Sequence, residues 1–128
     1  MSFTRIAARI KKSAAVREAL ANKESLIVPP ILILSVTSDC NLACAGCYAC
    51  SRQRDRSAEF SMDDIHRVVG EAAELGVCIV IIAGGEPLLK EGILSLPPAY
   101  PDVLFVMFTN GLLLDSPAAQ AAARPHPR

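Results

Sequence analysis

The sequence predicts an α/β protein made of parallel strand-helix repeats, and three observations carry that reading. Apolar runs recur at residues 31–36, 77–83 and 103–108. Helical patterns separate them, and each run ends in a turn rich in Gly, Asn or Cys. Such alternation implies right-handed βαβ crossovers and a parallel sheet, in which ligands bind beyond the carboxyl ends of the strands. The chain has 128 residues, 52% of them hydrophobic, with 13 Lys plus Arg against 13 Asp plus Glu. This composition suits one packed domain of about 100–150 residues and is too apolar for a disordered chain. Zero net charge gives no support to electrostatic binding of nucleic acid or membrane. The longest apolar run, residues 77–83, is far shorter than the ~20 residues of a membrane span.

Residues 1–27 form the first unit, a basic surface helix over 4–21 that carries Arg5, Arg9, Lys11, Lys12 and Arg17. Ile6, Ile10 and Ala14 recur on one helical face, and the stretch lacks the apolar core of a secretory signal. Val28-Pro29-Pro30 then breaks helical continuation, because Pro lacks an N–H and restrains the residue before it. Residues 31–36 make the first buried strand. The polar stretch 51–59, with Arg52, Arg54 and Arg56, reads as a solvated loop. Ser61 is a helix N-cap with Asp64 three residues on, and Ile65, Val68, Val69, Ala72 and Leu75 repeat with helical spacing up to Gly76, the C-terminal signal.

Residues 77–83 are apolar on both alternating faces, as in a parallel strand covered on both sides or enclosed in a barrel wall. Cys78 reads there as a small core residue. Gly84-Gly85-Glu86-Pro87 ends this strand, a short helix is expected over 89–96 with Pro97-Pro98 stopping it, and residues 103–108 run into Thr109-Asn110-Gly111. Residues 28–115 thus form one domain, and 116–128 an Ala/Pro-rich tail without apolar periodicity, read as disordered or weakly helical.

Four of the five cysteines, Cys40, Cys44, Cys47 and Cys50, fall within eleven residues. That is poor spacing for a disulfide framework and good spacing for a metal site in a reducing, cytoplasmic setting. Cys40, Cys44 and Cys47, spaced C-x3-C-x2-C after a strand, suit three corners of an iron–sulfur cube, which leaves the fourth iron open to a chelating molecule. Two other readings stand beside it: a closed cluster that also uses Cys50, and a zinc-binding module. The Gly84-Gly85-Glu86-Pro87 turn supplies what an open iron requires. Its glycines allow close backbone approach, and its carbonyl and carboxylate oxygens can accept from an ammonium group.

Taken together, Cys40-Asn41-Leu42-Ala43-Cys44-Ala45-Gly46-Cys47, Gly84-Gly85-Glu86-Pro87 and Thr109-Asn110-Gly111 resemble the radical S-adenosylmethionine (radical SAM) enzymes over residues 28–115. The resemblance implies a 4Fe-4S cluster on Cys40, Cys44 and Cys47, with S-adenosyl-L-methionine chelating the open iron. It implies that Gly84, Gly85 and Glu86 receive the amino group and that Asn110 lies near the cofactor. It further implies reductive cleavage to a 5′-deoxyadenosyl radical, a flavodoxin or ferredoxin as electron donor, and a substrate these residues do not identify. Gly46 stands where many members carry an aromatic residue, and Tyr48 follows the third cysteine instead. The fold implied is the first half of a partial (β/α)6 TIM-like barrel. Six units of about 30 residues need on the order of 180 residues, whereas the strand pattern ends at the third. The expectation is a domain without its C-terminal half, with the tail reflecting truncation or a changed reading frame. Unpaired sheet edges and half a pocket then predict a chain unstable or inactive by itself.

Overall fold

The computed structural model describes residues 3–47, 59–115 and 117. It contains a three-stranded parallel sheet of β1 (Ile31–Ser35), β2 (Ile79–Ala83) and β3 (Leu104–Met107), in the order β1-β2-β3. The register aligns Ile33 with Ile81 and Val106, and Leu34 with Ile82 and Met107. The three expected strands are therefore present, each slightly shorter than its apolar run.

Helix α1 (Phe3–Glu24) precedes the sheet, and α2 (Met62–Glu74) joins β1 to β2. Both ends of α2 follow from local chemistry. Ser61 accepts from the Asp64 N–H while the Asp64 carboxylate accepts from the Ser61 N–H, a complete capping box. At the other end Gly76 takes a left-handed φ of 90°. The Gly76 and Val77 N–H groups reach back to the Ala73 and Ala72 carbonyls, which closes a Schellman motif.

Alternation across the strands divides the sheet into two unlike faces. Leu34, Val36, Val80 and Ile82 pack with Ile65 and Val69 of α2 and with Ile93 and Leu96 in the β2–β3 connection, and this forms the core. The opposite face carries Ile31, Ile33 and Val106, and Ile33 is 67% exposed. Coverage of both faces, which the apolar runs predict, is thus not found among the described residues. The reason is where α1 lies: Arg17 donates to the Gly76 carbonyl and Lys12 pairs with Asp102 at 2.7 Å. Both partners precede a strand, so α1 docks at the amino ends of β2 and β3. Its inward side includes Ser13, Val16 and Arg17 beside Gly76, whereas Ile10, on the face that the apolar repeat marks, is exposed.

The β2–β3 connection also differs from the expected helix over 89–96. It consists of 3-10 turns at Pro87–Leu89 and Ile93–Ser95, then the short helix α3 (Leu96–Ala99). Pro97 and Pro98 fall in the first turn of α3, where the missing N–H has no intrahelical partner to lose, so they begin a helix instead of stopping one. Cys78 is buried, as expected of a core residue, with its thiol on the Pro30 carbonyl. The tail expectation for 116–128 falls outside the described residues apart from position 117. No helix among the described residues is long and apolar enough to cross a membrane.

Candidate cofactor site at the strand ends

The three motifs meet at the carboxyl ends of the strands because the backbone ladder continues past them. Val36 N–H bonds the Ala83 carbonyl at 3.0 Å, Gly85 N–H the Thr37 carbonyl at 2.8 Å, and Glu86 N–H the Asp39 carbonyl at 2.7 Å. This zipper needs both glycines. A Cβ on Gly85 would stand 2.1 Å from the Asp39 oxygen, and one on Gly84, whose φ is 146°, 2.4 Å from the Thr37 oxygen. The close approach that the Gly-Gly pair permits is therefore, first, an approach to the root of the cysteine loop.

Glu86 ties the second strand end to the third. Its side chain is fully buried, at 0% exposure. One carboxylate oxygen accepts from the Thr109 hydroxyl at 2.8 Å and the Leu88 N–H at 3.0 Å, and the other from the Asn110 N–H at 2.8 Å. Burying a carboxylate is costly unless donors surround it, and here three neutral donors do so. Asn110 extends the connection: its side-chain amide donates to Asn41 Oδ1 at 2.7 Å, and its own Oδ1 accepts from the Leu112 N–H at 3.0 Å. Asn110 thus links the third strand end to the cysteine loop, with its amide on the residue that follows Cys40.

The thiols sit on the solvent side of this framework. Cys40 and Cys44 are exposed, Cys47 is half-buried, and none of the three is in a disulfide. The Leu42 N–H points at the Cys40 sulfur at 3.4 Å, and Cys47 N–H bonds the Cys44 carbonyl at 3.2 Å, with Gly46 in a left-handed turn between them. Among the described residues, no three His, Cys, Asp or Glu side chains converge closely enough to hold a single metal ion. Three thiols outside any disulfide on one short loop do suit the donor set of an iron–sulfur cluster, which spreads its ligands over several irons. Cys50 and Tyr48 lie outside the described residues.

Glu59 is the residue that sequence reasoning missed, having been assigned to a solvated loop. Its carboxylate accepts from the Ser38 N–H at 2.6 Å, the Ser38 hydroxyl and the Thr37 hydroxyl at 3.2 Å. The Ser38 hydroxyl and then the Ser38 N–H hold the Glu59 carboxyl below its usual pKa, aided by the Thr37 hydroxyl and the charge of Lys90. Only its position two residues before the Ser61 N-cap sets it apart in the sequence.

A layered α/β sheet with a three-thiol loop at one strand end and a Gly-Gly-Glu turn at the next defines a class of cofactor-binding protein. Comparison with known families is specific. The family model described as "Radical SAM superfamily" matches residues 34–124, and the chain belongs to that family, whose members generally use a 4Fe-4S cluster and S-adenosylmethionine. The chain is 33% identical over 88 residues to a probable GTP 3′,8-cyclase of Methanococcus vannielii, covering 64% of this chain and 29% of that protein. It is 37% identical over 93 residues to the GTP 3′,8-cyclase of Clostridium perfringens, covering 65% and 28%. It is 29% identical over 94 residues to the Fe-coproporphyrin III synthase of Methanosarcina barkeri, covering 71% and 23%. The chain thus spans less than a third of the length of these relatives. No solved structure matches it significantly.

Proposed function

We propose that this chain is the cluster-bearing part of a radical S-adenosylmethionine enzyme. The observation that carries the reading is the joining of three motif-bearing strand ends into one bonded unit, with three cysteines outside any disulfide on its open side. Cys40, Cys44 and Cys47 would hold three irons of a 4Fe-4S cluster and leave the fourth for S-adenosylmethionine. Gly84, Gly85 and Glu86 would line the edge that receives the cofactor's ammonium, and Asn110 the neighbouring edge. Such a cluster would supply one electron to the sulfonium of the chelated cofactor, breaking a carbon–sulfur bond with methionine as the leaving group, which is the hard chemistry that cofactors contribute. The chain's own part is to fix the ligands, keep the approach open and offer oxygens of the right sign.

The fold reading that accompanies this is a segment of a partial (β/α)6 barrel wall. Sequential parallel order β1-β2-β3 without reversal, helical cover on one face and exposed Ile31, Ile33 and Val106 on the other support it. That second face would be the barrel's interior, filled by strands beyond those matched here. The substrate and a flavodoxin or ferredoxin donor belong to the whole enzyme.

Anaerobic reconstitution with iron and sulfide, then electron paramagnetic resonance with and without S-adenosylmethionine, tests the proposal. The expected result is a 4Fe-4S signal that shifts on addition of the cofactor, together with loss of the cluster in Cys40→Ala. A cluster signal indifferent to the cofactor and dependent on Cys50 would refute it in favour of a closed cluster, and a colourless zinc protein would refute both.

A further inference from the structure

Beyond the cluster ligands, the structure points to a residue that sets their position, and we infer that Glu59 is a clamp that closes the cysteine loop onto its own root. The inference rests on the radical SAM reading of the loop, while its geometry is that of the polypeptide alone. Glu59 lies beyond the third cysteine, yet its carboxylate returns to Ser38 and Thr37, immediately before the first. The residues between these two points include Cys40, Cys44 and Cys47.

Each side of the contact is itself anchored. Thr37 and Asp39 are bound through their carbonyls to Gly85 and Glu86, and the Thr37 hydroxyl also accepts from the Asp39 N–H at 3.1 Å. On the other side, Lys90 Nζ donates to the carbonyl of Phe60 at 2.6 Å, which fixes the residue next to Glu59 to the connection after β2. The capped start of α2 follows directly at Ser61. Glu59 is therefore held on a fixed base and grips a fixed base, with bonds strengthened by the carboxylate's charge.

This arrangement matters because of where the thiols lie. They lie on an exposed loop, so the entropy of ordering it opposes cluster assembly. Closing the loop in advance removes part of that cost. Glu59 touches neither thiol nor cofactor in this account. It is a positioning residue, acting through Ser38 on the segment that enters Cys40.

The test uses the full chain in two states. In the metal-free protein, hydrogen exchange of the Ser38 amide should accelerate about tenfold or more in Glu59→Ala, the loss expected when a charged acceptor is removed, while Val69 and Val80 amides keep the parent rate. In protein reconstituted with iron and sulfide, cluster loss to an iron chelator should be about 10-fold to 100-fold faster in Glu59→Ala, the range seen when groups that hold metal ligands are removed. Glu59→Gln, which keeps one acceptor oxygen, should fall between parent and Glu59→Ala. Ser38→Ala combined with Glu59→Ala should add nothing to Glu59→Ala alone.

Parent-like Ser38 exchange and chelation in Glu59→Ala would overturn the inference, as would acceleration spread equally to Val69 and Val80, the mark of general destabilisation. A parent cluster whose resonance ignores S-adenosylmethionine refutes the proposed function instead and leaves the clamp to be decided by the two rates. A parent that assembles no cluster overturns both.

Discussion

The zipper between the first two strand ends makes a quantitative prediction for Gly85→Ala. The added Cβ would lie 2.1 Å from the Asp39 oxygen and 2.6 Å from the Asp39 carbonyl carbon, both backbone atoms that cannot rotate away. Relief requires the two segments to separate by more than about 1 Å, since ordinary contact begins near 3.4 Å. That movement breaks the Gly85–Thr37 and Glu86–Asp39 bonds. Two net hydrogen bonds contribute about 1–3 kcal/mol, and forced overpacking costs about 1–3 kcal/mol more. Gly85 has no positive φ, so the substitution recovers about 0.4–1 kcal/mol through the unfolded chain. The net loss is about 1–6 kcal/mol, a large part of the ~5–15 kcal/mol that holds a domain folded. Urea unfolding followed by far-ultraviolet circular dichroism measures it. Gly70→Ala is the matched control: its Cβ would meet Tyr100 at an ordinary 3.5 Å in the interior of α2, and Ala there should stabilise by about 0.5–1 kcal/mol. Parent-like unfolding of Gly85→Ala, or an equal loss in Gly70→Ala, would refute the reasoning.

Two further predictions concern the carboxylates. The folded-state pKa of Glu59 lies below its unfolded value, so its stabilisation is present above the unfolded value and is lost as pH falls through the lowered one. Asp64, lowered by the Ser61 hydroxyl and then the Ser61 N–H, acts in the same direction. The urea midpoint should therefore decline in the acidic range below ordinary carboxylate values, and Glu59→Gln should flatten part of that decline; an unchanged profile would contradict the assignment. Glu86→Gln keeps the shape of the side chain but turns one acceptor oxygen into a donor facing the Thr109 and Leu88 pair or the Asn110 N–H. A loss of about 1–3 kcal/mol is expected from the mismatched buried group, and a urea midpoint equal to the parent's would show that Glu86 is not bonded as described.

What was legible in the sequence is what short-range chemistry determines. Ser61, Asp64 and Gly76 mark both ends of α2 because caps are satisfied within a few residues. The apolar runs mark the strands, and the strand ends mark the site, because parallel connections bring like ends together. Less was legible where tertiary position decides. An alternating apolar strand looks the same whether its second face is covered or open, so exposure of Ile33 could not be read from its neighbours. Pro97 and Pro98 were ambiguous for a related reason, since Pro stops a helix interior yet suits its first turn. Glu59 and the Asn41–Asn110 bond were hidden because their partners are 21 and 69 residues away, and single Glu and Asn residues in polar loops carry no periodic signal.

The electrostatic character of the strand ends follows from how Glu86 is satisfied. A buried carboxylate is commonly neutralised by a basic side chain, but among the described residues Glu86 is held by two N–H groups and a hydroxyl and forms no ion pair. Neutral donors lower the cost of burial, and because they come from Leu88, Thr109 and Asn110 they tie the second and third strand ends together through one side chain. Glu59 adds a second carboxylate near the same strand end, partly offset by Lys90. Among the described residues, Arg9, Lys12 and Arg17 of α1 find their partners at the amino ends of the strands instead. Overall composition therefore says nothing about the carboxyl ends, where the placement of individual carboxylates and their neutral donors decides the local chemistry.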